Sequence, residues 1–260
     1  MNTRIFAAAL AFAAGIGVAG SAGAVDFSVY PVRVELGQGQ QTAVLNLSNG
    51  NAQPLRLQVR AFVWSMDADG KWQLAPTDDL IVNPQLFEIG PNQVGQLRVG
   101  TLLSPGQTER AYRLLLDELP GSDEDAGKTK VHVRVLTRLN LPVFLEPAGG
   151  GSPSLQITHA RIRRGQLVLS LRNVGNERLD PQPLQVDIRN EQGHVLFHAA
   201  PTASYLLSGA QLELKITTPA QVCAAAAAIS VNTGTTKTAE VSAHVDDRSC
   251  ASIADSSPAH

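Results

Sequence analysis

Polar and apolar residues alternate in short runs along most of the chain. "VDFSVYPVRVEL" (25 to 36), "TAVLNLSN" (42 to 49), "PLRLQVRAFVW" (54 to 64), "VGQLRVG" (94 to 100) and "AYRLLLDEL" (111 to 119) each read as a strand and are separated by turn residues. "KTKVHVRVLTRLNLPVFLEP" (128 to 147) is longer: Val131, Val133, Val135, Thr137, Leu139, Leu141 and Val143 share one parity, and His132, Arg134, Arg138 and Asn140 the other. At roughly 3.3 Å per residue such a strand runs about 45 Å, well beyond the usual five or six residues. Within "VWSMDADGKW" (63 to 72), Asp69-Gly70 signals a hairpin.

About seven strands at this spacing predict an immunoglobulin-like sandwich over 25–147. "AGGGSPS" (148 to 154) then reads as a hinge. "LQITHARI", "QLVLSLRNVG", "LQVDIRN", "HVLFHA" and "QLELKIT" repeat the style, so 155–250 reads as a second β-sandwich and 251–260 as a frayed polar tail. The fold class expected is therefore all-β, with two immunoglobulin-like domains. "CAAAAAI" (223 to 229) fits either a helix or a buried strand entry, and 219–236 stays open.

The opening 24 residues stand apart. Arg4 precedes an apolar core from Ile5 to Val18, and Ala22-Gly23-Ala24 follows, which is the pattern of a secretory signal cut after Ala24. No later apolar run is long enough to span a bilayer, so no membrane insertion is expected. In an oxidising compartment the two cysteines, Cys223 and Cys250, read as one disulfide. A net charge of -2, with a pI near 6.3 and no basic stripe interleaved with aromatics, argues against nucleic acid.

Catalytic and metal signals are weak. His194 and His198 on one strand would sit about 13 Å apart, too far for one metal. There is no Gly-x-Ser-x-Gly elbow and no phosphate loop, and "GSDEDAG" (121 to 127) lacks the ligand spacing of an EF-hand. No enzyme, metal or cofactor is expected. Arg33, inside an apolar run, and Arg138, on the polar side of the long strand, either snorkel to water or hold an anion in a cleft.

The order of five stretches resembles the PapD-like periplasmic chaperones of chaperone-usher pilus assembly. They are "VYPVRVEL" (29 to 36), "LNLSNGNAQPLRLQVRAFVW" (45 to 64), "DDLIVNPQLFEIGPNQVGQLRVG" (78 to 100), "YRLLLDELPG" (112 to 121) and "RLNLPVFLEP" (138 to 147). The ending "LPVFLEP" looks like the archaic, spore-coat-like branch. The resemblance implies an L or boomerang arrangement of the domains, a periplasmic location, and pilin subunits and an outer-membrane usher as partners. It implies donor-strand complementation, in which the long edge strand completes a pilin that lacks a strand. Val131, Val133 and Val135 would insert into the pilin groove. Arg33 and Arg138 would bind its terminal carboxylate, with Arg98 or Arg113 as substitutes for Arg138. A free chaperone that caps its edge by dimerising is compatible with this. A structural or adhesive fibre subunit built on the same sandwich is the alternative reading.

Overall fold

The computed structural model describes residues 27–67, 69–120, 136–163, 165–233, 241–244 and 247–249. In the first half, strands β1 (Phe27–Tyr30), β3 (Thr42–Asn49), β8 (Gln93–Gly100) and β6 (Ile81–Asn83) form one sheet in that order. β2 (Val34–Leu36), β10 (Arg138–Leu145), β9 (Arg110–Glu118), β4 (Leu55–Met66) and β5 (Trp72–Pro76) form the facing sheet, and β7 (Leu86–Ile89) joins it on β4. The alternation decides which residues meet: Leu45, Leu47, Leu97 and Val99 from one sheet pack on Leu57, Val59, Tyr112, Leu114, Leu116, Leu141 and Val143 from the other.

The second half contains β11 (Leu155–Arg163), β12 (Gln166–Asn173), β13 (Gln182–Pro183), β14 (Gln185–Arg189), β15 (Val195–Ala199), β16 (Thr202–Ala203), β17 (Gln211–Thr217), helix α1 (Val222–Ala225), β18 (Ala228–Asn232), β19 (Val241–His244) and β20 (Asp247–Ser249). The sheets β17-β12-β11-β20 and β15-β14-β18-β19 enclose Ile162, Leu167, Leu169, Leu171, Val186, Ile188, Ile229 and Val231. The all-β, two-sandwich fold expected from the sequence is the fold observed. "CAAAAAI" turns out to hold both readings, a four-residue helix and then a strand. Cys223 is fully buried in this core, while Cys250 lies outside the described residues.

One expectation changes. "VDFSVYPVRVEL" is not one strand: it breaks at Pro31, which has no N–H to offer a ladder, so that β1 pairs with β3 and β2 with β10 in the opposite sheet. Arg33 therefore sits just before β2 rather than inside a strand. The backbone of "AGGGSPS" is held by hydrogen bonds. Asn173 and Asn176 accept the N–H groups of Ser154 and Ser152 (3.0 and 3.1 Å), and Ala148 donates to Gly106 (2.7 Å).

Trp64, Ala111 and Phe144 belong to the second core although they lie on β4, β9 and β10. The outer face of the first domain's sheet thus doubles as the floor of the domain junction. The β4–β5 hairpin also reaches across. Asp67 accepts the N–H groups of Asp69 and Lys71 (3.0 and 2.9 Å), and Gly70 at φ 76° brings its Cα against the Gln211 carbonyl, where an added Cβ would be 2.9 Å away. Gly70→Ala is expected to cost about 1–2 kcal/mol from backbone strain plus the clash, a loss of roughly 2–8 °C in Tm. Gly39→Ala, at φ 96° with nothing within 4 Å of the added carbon, isolates the strain. Equal losses from the two variants in thermal melts would show that the hairpin does not bear on the second domain.

A cationic cleft beside an open strand edge

β10 is bonded to β9 along its whole length, Arg138 facing Asp117 and Leu145 facing Arg110. On its other side β2 covers only Val143, Phe144 and Leu145. Among the described residues no strand lies beside Arg138 to Pro142, so this edge can accept a further chain. Leu139, Leu141 and Val143 turn toward the first core, and the alternate residues Arg138, Asn140 and Pro142 turn toward the junction side. Val131, Val133 and Val135 lie outside the described residues.

Register places two arginines across from the end of this edge. Pro142 faces Arg113 on β9, and Val34 faces Val143, so Arg33 precedes β2 on the other side of Pro142. Arg113 is only 3% exposed. Its guanidinium lies over the rings of Trp64 and Trp72, with Cζ 3.7 and 4.2 Å from their centroids, and 5.5 Å from that of Tyr205 in the second domain. Its Nε and Nη2 are buried without a hydrogen-bond acceptor. Burial lowers its pKa to about 10, against a smaller favourable influence of Tyr205. A desolvated cation without a carboxylate among the described residues is costly, and the ring faces offset only part of that cost.

Arg33, by contrast, is engaged. Its Nε lies 3.1 Å from Glu35 Oε1 and its Nη1 donates to Asp180 Oδ2 at 3.1 Å. Partial burial disfavours its charge, but Asp180, Glu35 and Tyr205 outweigh this and its pKa is raised. Arg178, from the second domain, closes the group. Its Nη2 donates to Glu35 (2.7 Å), its Nε to Asp180 (2.9 Å) and its Nη1 to Glu109, while Phe144 lies under its guanidinium at 3.7 Å. Burial pushes Glu109 up to about 7, against the pull of Arg178.

The structure does not bring Arg138 to Arg33. Four residue steps along β10 separate Arg138 from Pro142, roughly 13 Å along the strand, and Arg138 is tied to Asp117, which also holds Arg60 at 2.7 Å. Those two bonds outweigh the effect of burial and keep the Asp117 carboxyl below its usual range. Arg98 lies exposed on β8, in the other sheet. Arg113 is the residue that shares a row with Arg33. Its signal in the sequence was an arginine between Tyr112 and Leu114, in a run with apolar residues at both parities. Of the histidines, His198 pairs with Asp187 at 2.7 Å, and no cluster of metal-binding side chains occurs among the described residues.

Residues 26–150 match the family model of the pili and flagellar-assembly chaperone, PapD N-terminal domain. This first half of the chain belongs to the PapD-like chaperones of pilus assembly. The whole chain is similar in fold to solved structures of low sequence identity. One is a chain in the CsuC–CsuE chaperone–tip adhesion subunit pre-assembly complex from archaic chaperone-usher Csu pili of Acinetobacter baumannii (TM-score 0.58, 21% identity, 83% of this chain and 97% of that chain). Others are the class 5 fimbriae chaperone CfaA (0.57, 11%, 82% and 93%) and a chain of the Salmonella enterica SafA pilin complex with the SafB chaperone (0.52, 16%, 85% and 95%). No curated protein sequence matches the chain at a significant level. No helix among the described residues is long and apolar enough to cross a membrane.

Proposed function

We propose that this chaperone works in the periplasm and captures pilin subunits by donor-strand complementation along the open edge of β10, then hands them to an outer-membrane usher. The observation that carries the proposal is Arg113, a buried cation with unfilled N–H groups in the same row as Arg33 at the end of that edge. A strand laid along Arg138 to Pro142 would bring its terminal carboxylate to this row. There the charge-assisted bonds that Arg113 lacks would form. Arg33 and Arg113, rather than Arg33 and Arg138, are the proposed anchor. Val131, Val133 and Val135 share the parity of Leu139 and Leu141, so on a continuous strand they extend the apolar row that would fill the subunit's groove. Cys223 and Cys250 are proposed to form the bridge of the second domain.

Co-expression with a subunit and with the same subunit lacking its last residue tests this. The truncation moves the carboxylate by one strand step, about 3.3 Å, out of hydrogen-bond reach. Capture of the truncated subunit should fall roughly ten- to a hundredfold and then change little when Arg113 is also replaced. Additive losses would remove the anchor from the interface.

A further inference from the structure

We propose that Asp180 of the second domain occupies Arg33 in the free chaperone as an internal stand-in for the subunit's carboxylate, and that capture proceeds by exchange of one for the other. The inference rests on reading Arg33 and Arg113 as the carboxylate anchor.

Arg33, Glu35, Arg178 and Asp180 form a closed ring of alternating charge. Glu35 Oε1 bridges Arg33 Nε and Arg178 Nη2, while the two oxygens of Asp180 bridge Arg33 Nη1 and Arg178 Nε. Two guanidiniums thus meet two carboxylates, and Glu109 adds a third acid on Arg178. The group has no surplus positive charge for an incoming anion. Geometry says the same. A carboxylate binds a guanidinium best through two parallel N–H groups, and each such edge of Arg33 includes a nitrogen already engaged, Nε by Glu35 or Nη1 by Asp180.

The two acids are not equally able to leave. Glu35 lies on β2, where its backbone is paired to Phe144. Asp180 lies in the loop before β13 with a side chain 45% exposed. Its neighbour Leu179 is pinned by reciprocal hydrogen bonds to Leu206 (2.8 and 3.0 Å). A turn of the Asp180 side chain into water therefore frees Nη1 of Arg33 while the domains stay docked, a motion on the timescale of exposed rotamers. Arg113 holds no carboxylate to be displaced, but its Nε and Nη2 lie out of water, so Arg33, whose side chain is 40% exposed, is the first of the two that a carboxylate reaches, as Asp180 swings out.

The test uses full-length 15N-labelled chaperone, with sodium acetate as the carboxylate probe replacing sodium chloride at constant ionic strength. The readouts are the side-chain Nε–H resonances of Arg33 and Arg113. Asp180→Asn, close in shape but uncharged, should bring the Arg33 response to roughly 1.5- to fivefold lower acetate, the effect expected for one exposed charge pair. Asp180→Ser should do the same. Glu177→Gln should not, because Glu177 lies 4.0 Å from Arg178 and has no ion pair with Arg33. An Arg33 response in Asp180→Asn at the same or higher acetate than in the wild type would overturn the exchange. The anchor reading fails by a different result, undiminished subunit capture by Arg33→Ala and Arg113→Ala, so the two are separable.

Discussion

Arg113→Met is expected to weaken subunit capture by roughly ten- to a hundredfold, the worth of one or two charge-assisted hydrogen bonds, while shifting the melting temperature by only a few degrees. The stability side follows from the surroundings of the side chain. The wild-type protein keeps a cation almost wholly out of water with two nitrogen atoms unsatisfied, and removing it ends that desolvation penalty. What is lost is attraction to the faces of Trp64 and Trp72, about 2 kcal/mol at a desolvated site. Methionine fills a similar volume and packs well against rings, which limits the cavity. Arg113→Lys should not rescue capture, since an ammonium has neither a planar face to lay over the two indoles nor a paired donor edge for a carboxylate. Calorimetric binding to a purified subunit, with parallel melts, checks both halves. Capture at wild-type affinity would mean that Arg113 serves only the junction.

Arg178→Ala should do the opposite, destabilising the protein by about 3–5 kcal/mol, because it strands a buried carboxylate rather than removing a buried cation. Glu109 has a side chain only 2% exposed and takes its ionic contact from Arg178 Nη1. Glu35 and Asp180 lose a bond each and are left facing Arg33 alone. The first melting transition should drop by roughly 6–20 °C. The double variant Arg178→Met with Glu109→Gln should recover much of the loss, since neutralising both members removes the uncompensated charge. If Arg178→Ala alone melts within a degree or two of wild type, the ion cluster contributes little to holding the domains together.

The parts of this molecule that were legible in its sequence are those set by neighbours two residues apart. Leu45 and Leu47, or Leu167, Leu169 and Leu171, announce their strands and core faces by alternation alone. The Asp69-Gly70 turn is likewise local. The junction was not legible, because its partners are far apart along the chain. Arg178 meets Glu109 across 69 residues and Glu35 across 143, so in sequence it is merely a charge in the polar stretch "GNERLD". Arg138 misled for a related reason. Strand parity gave its face correctly, but only the register of β10 against β9 and β2 shows that it stands about four residues short of Arg33. "PVFLEP" held a readable clue that alternation obscures: Val143, Phe144 and Leu145 are buried in succession because that end of β10 is covered on both faces, by its own sandwich and by the second domain.

The stacking of Trp64 and Trp72 on Arg113 has an optical consequence. The chain contains two tryptophans, and both rest against that one guanidinium. The ultraviolet emission of the unlabelled protein is therefore a report from a single spot about the proximity of one positive charge to two indoles. Any event that draws the guanidinium off those rings alters the whole tryptophan signal, undiluted by other emitters of its kind.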